Sequence, residues 1–263
     1  MIGIIGGSGL YEIEGFFLRK KKNILTPYGA PSDSYMIGEF SDRDVVFLTR
    51  HGSQHNIPPH LINYRANIWG FKELGVNRII SLGATGGISH GMKPGTIVVL
   101  DQIIDMTKGR DLTFYDGGDS RGGVVHIDFT EPYCPELRES ILKAGEKSGI
   151  ALKKSGTYVC VNGPRLESKA EITFFSKIGA DVVGMTAMPE ASLARETELC
   201  YAGISVVTNY AAGITEKKLT TTEVIEVMKG TAKRLKELLK EAFNLTPFER
   251  RCGCKEALKE AKI

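Results

Sequence analysis

The sequence lacks any apolar run approaching the roughly 18 residues that a membrane-spanning helix requires, which argues against an integral helical membrane protein. It also lacks a dominant charge: 34 Lys and Arg against 31 Asp and Glu leave a net +3. That is too little to argue for a nucleic-acid partner. The one basic run, Arg19-Lys20-Lys21-Lys22, reads as a solvated loop between apolar stretches. Internal repeats, low-complexity tracts and interdomain linkers are missing as well, so a solenoid or a disordered scaffold is not expected. No basic segment precedes the opening IGIIGGSGL, and the expectation is a soluble, cytoplasmic protein without a signal peptide. Cysteine is scarce, at five residues. Cys134, Cys160 and Cys200 stand alone in apolar surroundings and are expected as small core residues. Cys252 and Cys254 form an Arg-Cys-Gly-Cys motif, half of a tetrahedral zinc site with no second pair beside it. An inert or stabilising role is expected of this pair, with a strained or redox-active disulfide or a subunit cross-link as alternatives.

What is present is an ordinary globular composition, 42% apolar and 25% charged over 263 residues, a length that one large α/β domain can hold. Short apolar runs bounded by turn residues occur at residues 2–5, 45–49, 78–82, 96–100, 157–161, 181–185 and 204–208. Each is short enough to be a buried strand. Helical spacing lies between them. Leu61, Tyr64, Ile68, Phe71 and Leu74 form one stripe that Gly75 ends. Pro135 and Pro189 suit the first turn of a helix, and a helix starting near Glu167 ends at Gly179. The last long helix aligns Val224, Met228, Thr231, Leu235, Leu238 and Ala242 on one side. The expected fold is α/β: a single domain over residues 1–248 with a central mixed, twisted β-sheet flanked by helices, then a tail at 249–263 carrying Cys-Gly-Cys.

Chemistry concentrates in four segments at strand ends, where open α/β sheets bind ligands. Gly6-Gly7-Ser8-Gly9 fits neither GxGxxG nor a Walker loop, which leaves a tight turn with free amides and one hydroxyl, suited to an oxyanion. Arg50-His51-Gly52, followed by Ser53-Gln54-His55, offers a guanidinium fork for phosphate and an imidazole. The same Arg-His-Gly turn occurs in histidine phosphatases, which use the histidine as a nucleophile. Gly83-Ala84-Thr85-Gly86-Gly87 and Gly184-Met185-Thr186 add amides and two hydroxyls. The combined inventory describes a site for phosphate or a phosphate ester. His51 and His55 have no nearby third ligand, so no metal is expected there.

Taken in order, GGSGLY, TPYGAPS, LTRHGSQH, NYRANIW, GATGGI, PGTIVVLDQIID, NGPRLESKAE, GADVVGMTAMPEASLARE and VVTNYAAG closely resemble the purine nucleoside phosphorylase and methylthioadenosine phosphorylase family. The resemblance implies phosphorolysis: phosphate attacks C1′ of a purine nucleoside and releases the base. It implies that Ser8, Arg50, His51, the Ala84 amide and Thr186 hold phosphate, with Met185 under the ribose and His55 nearby. Asn209, Glu167 and His51 then carry the catalysis. A fixed dianion beside an oxocarbenium-like sugar stabilises the transition state, so no metal or organic cofactor is expected and phosphate is a substrate.

The base contacts separate two branches of that family. A carboxylate can only accept, whereas an amide both donates and accepts. Glu167 suits the N1–H of a 6-oxopurine, and Asn209 can donate to O6 while accepting the proton gained at N7. The adenine-reading branch typically has serine at the first position and Asp-x-Asp at the second, where this chain has Asn209 and Ala211. The expectation is therefore inosine, guanosine or their 5′-methylthio analogues. Methylthioadenosine is the nearest rival, and a histidine phosphatase or a non-catalytic nucleoside binder is more distant. Thr221, Val224 and Ile225 are expected around the 5′ group, whose identity stays open. Members of the family assemble as trimers or hexamers, and the aromatics Phe114, Tyr115 and Phe129 fit either a subunit contact or the core.

Overall fold

β-Branched runs and amphipathic stretches resolve into a mixed sheet with helices on both faces. The computed structural model describes residues 1–7, 15–117, 123–216 and 219–262. Among them the strands are β1 (Ile2–Gly6), β2 (Phe17–Lys22), β3 (Tyr35–Phe40), β4 (Arg43–Thr49), β5 (Arg78–Gly87) and β6 (Ile97–Val99). They continue with β7 (Gln102–Asp105), β8 (Leu152–Lys153), β9 (Thr157–Cys160), β10 (Val182–Gly184) and β11 (Cys200–Tyr210). The helices are α1 (Tyr64–Glu73), α2 (Pro135–Lys147), α3 (Lys169–Lys177), α4 (Ala187–Glu196) and α5 (Thr221–Leu245).

The strands join in the order β2-β3-β4-β1-β5-β10-β9-β7, and β11, β6 and β8 branch from β5. The branch creates the site. Along one edge β5 pairs in parallel with β1 from Arg78 to Leu82, and that edge is then vacated until β10 takes it antiparallel at Gly86 and Gly87. The other edge stays paired with β11 along its length. Gly83, Ala84 and Thr85 therefore face a notch between the end of β1 and the end of β10, the strand-end location where such sheets bind ligands.

Alternation along the strands separates two cores. Ile2, Ile4, Val45, Phe47, Ile80 and Leu82 pack under α2 and α5, whereas Ile5, Val46, Leu48 and Ile79 pack under α1 and α4. In α5 the expected stripe is buried at Met228, Thr231, Leu235, Leu238 and Ala242, joined by Leu239 and Phe243. Each large apolar side chain of that stripe contributes about 1.5–3 kcal/mol of burial. Gly3 lets the Phe71 ring approach the sheet, since a Cβ there would sit 2.9 Å from it.

All seven expected strands are present, with three corrections around them. Arg19–Lys22 is not a loop: it belongs to β2, an edge strand exposed at all six residues. A row of cations on an edge discourages pairing with another chain. The third glycine segment does not lie beyond the end of a strand but forms the second half of β5. Leu61 falls outside α1, in a 3-10 turn, and is 67% exposed; Asn63 caps the helix by accepting from the Ala66 N–H. The cysteine reading also changes. Cys160 is a lone core residue, yet Cys134 and Cys200 meet Cys252 and Cys254 in space. The tail that brings the last two packs back onto the domain. Arg78 donates to the carbonyls of Phe248 and Glu249, and the Ala261 carbonyl accepts from the His126 N–H.

Candidate functional site

The notch opens into a cleft of about 170 Å³, lined from several elements at once as small-molecule sites are. Its floor is Gly7 with Gly83, Ala84, Thr85 and Gly86, and its walls come from the β4 end, the β10–α4 junction, Leu166-Glu167 and the β11 end. Gly7 is sterically required. A Cβ at that position would lie 2.7 Å from both Arg50 Nη1 and the Leu82 carbonyl.

Arg50 reaches the cleft from below and is 1% exposed. Its Nε donates to Glu190 Oε2 at 2.7 Å and its Nη2 to Glu190 Oε1 at 2.9 Å. Nη2 also donates to Ser81 Oγ at 2.6 Å and Nη1 to the Leu82 carbonyl at 3.0 Å. Four of the five guanidinium hydrogens are thus committed, and one on Nη1 is left for a ligand. The expected open fork for phosphate is turned toward Glu190 instead. Burial opposes the guanidinium charge, but Glu190 outweighs it and holds the pKa above the ordinary arginine value. Glu190 is itself fully buried and also accepts from Ser81 Oγ and the Tyr201 hydroxyl, at 2.8 and 2.7 Å.

His51 lines the cleft beside Arg50. Its Nδ1 lies 2.8 Å from the Ile57 carbonyl. A carbonyl only accepts, so Nδ1 carries the hydrogen and Nε2 presents a lone pair. Burial, reinforced by the Arg50 charge, pushes its pKa down to about 4, so the ring is neutral near pH 7. The turn around it is fixed by Gly52 at φ +74° and by Asp33, which accepts from the Thr49 hydroxyl and the Ser53 N–H. His55 sits on the same turn with its ring 4.7 Å from that of His51. It is exposed and does not line the cleft.

Across the cleft, Met185 and Thr186 follow β10. Thr186 precedes α4 and makes no side-chain capping bond; Met188 is non-helical, so the regular helix runs from Pro189, and the Thr186 hydroxyl stays available to a ligand. Glu167 and Asn209 line the same cleft. Burial raises the Glu167 pKa above the ordinary carboxylate value. The first turn of α3 is satisfied without it: Ser168 accepts from the Glu171 N–H while the Glu171 carboxylate accepts from the Ser168 N–H. Asn209 Oδ1 accepts from the Thr208 hydroxyl at 2.9 Å, and its Nδ2 donates to the Tyr210 carbonyl at 2.9 Å. One amide hydrogen and one lone pair remain.

The structure therefore brings Arg50, His51, Ala84, Met185, Thr186, Glu167, Asn209 and Val224 into one cleft. Ser8 lies outside the described residues. Ala211 does not line the cleft: β11 has ended at Tyr210, and Ala211 joins the apolar cluster of Ile88, Val159 and Val183. Thr221 is exposed and Ile225 is 51% exposed, so neither reaches it. The Thr85 hydroxyl turns into the sheet, 2.6 Å from Ser205 Oγ. Sequence reasoning missed Gly7 as a packing requirement, Pro59, Leu166 and Thr208 in the lining, and Glu190 beneath it. The last carried a signal, since a glutamate within apolar MPEASLA implies a buried partner of opposite charge.

A strand-end cleft lined by glycine backbone, one available hydroxyl and a paired Arg–Glu beneath it marks an α/β enzyme. The family model described as "Phosphorylase superfamily" matches residues 1–244, and the chain belongs to that family. It is 54% identical over 266 residues to a probable S-methyl-5′-thioinosine phosphorylase of Thermodesulfovibrio yellowstonii, covering 100% of this chain and 97% of that protein. It is 51% identical over 263 residues to the 6-oxopurine nucleoside phosphorylase of Pyrococcus furiosus, covering 99% and 98%. Among solved structures it is similar to methylthioadenosine phosphorylase from Schistosoma mansoni in complex with adenine. The TM-score there is 0.93 at 32% identity, over 99% of this chain and 98% of that one. The chain is an enzyme of the pentosyl-transferring kind.

Proposed function

We propose that the protein catalyses phosphorolysis of 6-oxopurine nucleosides, releasing the purine base and a ribose 1-phosphate. The observation that carries the reading is that Glu167 and Asn209 line the same cleft as His51, Arg50 and Thr186. A phosphate oxygen forms the bond to C1′ as the C1′–N9 bond breaks, and the bond pair leaves with the base, which takes a proton from solvent at N7. Glu167, ionised, accepts from N1–H; Asn209 offers its free N–H to O6 and its free lone pair to the N7 proton. Against adenine the carboxylate would meet a bare acceptor, and a mismatch of buried polar groups discriminates by roughly 10⁴–10⁵.

The phosphate contacts are mostly neutral donors: the Ala84 and Gly7 region, the Thr186 hydroxyl and a single Arg50 N–H, with Ser8 expected to join them. The lone pair on His51 Nε2 suits a phosphate that keeps one proton. Metal or organic cofactor is not required, because position and the dianion's field supply the stabilisation. At the α5 end Val224 lines the cleft and Thr221 does not, which supports use of the 5′-methylthio nucleoside alongside inosine. Exposed Leu61, Leu166 and Phe174, 67%, 52% and 50% exposed, with Leu166 lining the cleft, support assembly as a homotrimer, and the proposed location is the cytoplasm. No described helix is long and apolar enough to cross a membrane.

The test is phosphate-dependent base release from inosine, guanosine, methylthioinosine and methylthioadenosine in parallel. Hypoxanthine and guanine released well above adenine is the expected result. Preferential adenine release would instead favour the methylthioadenosine reading, with Glu167 protonated and donating to N1.

A further inference from the structure

Four of the five cysteines converge at the end of the sheet opposite the cleft. Cys134 is the N-cap of α2, Cys200 opens β11, and Cys252 and Cys254 lie on the tail around the 3-10 turn Gly253–Glu256. Their sulfur atoms all lie within 4.8 Å of one another, and Cys200 and Cys252 approach to 3.3 Å. Cys134, Cys200 and Cys254 are at most 2% exposed.

The shape of the cluster selects its ligand. Disulfides would divide four sulfurs into two bonded pairs, each joined at about 2.0 Å. A tetrahedral ion with metal–sulfur bonds of about 2.3 Å sets every sulfur roughly 3.8 Å from the other three. All four are free thiols, none bonded to another, and each lies within 4.8 Å of the other three, which fits the second arrangement. Three separate chain segments supply the thiols, and an all-thiolate set favours a soft or borderline divalent cation over magnesium or calcium.

We propose that Cys134, Cys200, Cys252 and Cys254 form a structural tetrathiolate site for a thiophilic divalent ion, zinc above all. On binding, the thiols release their protons to solvent as the sulfurs take up the ion, and no electrons change hands. All four positions are filled by protein, so the ion has no open site for substrate. It also lies far from the reaction: Asn209 is at the other end of β11, roughly 30 Å away at about 3.3 Å per residue. Its work is to fasten the tail to α2 and β11.

The full-length protein is prepared anaerobically under reductant, incubated with equimolar zinc and desalted. Metal content, thiol count under denaturing conditions and native mass are then measured. The expected result is one zinc per chain, an intense tetrahedral Co²⁺ spectrum when cobalt replaces zinc, and a lower thermal midpoint after chelation. The double variant Cys252→Ser/Cys254→Ser is expected to lose the ion and the added thermal stability while keeping the parent's phosphorolysis rate at moderate temperature. Reduced protein that takes up no metal, or anaerobically made protein in which the four sulfurs are paired as disulfides, overturns the proposal. Zinc retained in full by the double variant overturns it too. Metal content, thiol count and thermal midpoint are read without any nucleoside, so they stand or fall apart from the assignment of substrate.

Discussion

Arg50 and Glu190 show how an arginine can stand beneath a cleft with little net charge. The pair is buried and doubly hydrogen-bonded, and Ser81 and Tyr201 complete the carboxylate's shell. Removing one partner of such a pair leaves a charge without compensation, at about 3–5 kcal/mol. Glu190→Gln is expected to destabilise the fold by about that much in urea titration with an unchanged denaturant slope; a loss under about 1 kcal/mol would mean the pair matters little. His51 gives a pH signature. Its folded pKa of about 4 lies below the ordinary value of 6.5, so between those pH values the unfolded chain binds more protons. Its contribution is complete above pH 6.5 and is lost as pH falls toward 4, on the order of 3 kcal/mol in all. His51→Gln should flatten that part of the stability–pH curve, and a curve unchanged by the substitution would contradict the buried neutral imidazole. Arg50 and His51 were legible in the sequence as residue types. Their hydrogen-bonding states were not, because Glu190 is 140 residues away in the chain and no local pattern announces the pairing.

At the scale of elements, the strands and helices that position the site were readable because their apolar periods are strong. The notch was not, because it depends on β10 arriving antiparallel beside β5 after β1 has stopped. A glycine run reads as a turn in sequence, yet Gly83–Gly87 is continuous strand held by its partner β11. Edge strand β2 was hidden for a related reason: its charged residues have no apolar face to betray a period. The α3 capping box links an element to the proposed base contact at Glu167. Ser168 follows Glu167 directly, and its hydroxyl fixes the first turn through the Glu171 N–H. Ser168→Ala is expected to cost about 1 kcal/mol of stability. By loosening the turn beside Glu167, it should raise the KM for inosine while leaving the KM for phosphate near the parent value. Equal changes in both would place α3 outside base recognition.

For the whole molecule, one sheet carries two separate anchoring systems, the ligand cleft at the strand ends and the cysteine cluster at the other end of β11. The sequence showed the Cys-Gly-Cys half of that cluster but not its complement, since Cys134 and Cys200 join it only through the fold. Ligand binding should register globally, because any group that binds only the folded chain stabilises all of it. Phosphate at about 100 times its Kd adds roughly 2.7 kcal/mol, which for a chain of this size raises the thermal midpoint by roughly 5–10 °C. Asn209→Asp provides the contrast. Its carboxylate cannot donate to O6, so inosine turnover should fall, by about 10²-fold if a hydrogen bond worth roughly 3 kcal/mol is lost. Because the proposed role of Asn209 is to read the base, the phosphate-induced rise in midpoint should survive intact. A variant that loses the phosphate shift together with inosine turnover would show that the two halves of the cleft are not separable. Full retention of inosine turnover would remove Asn209 from base recognition while leaving the proposed phosphate contacts untouched.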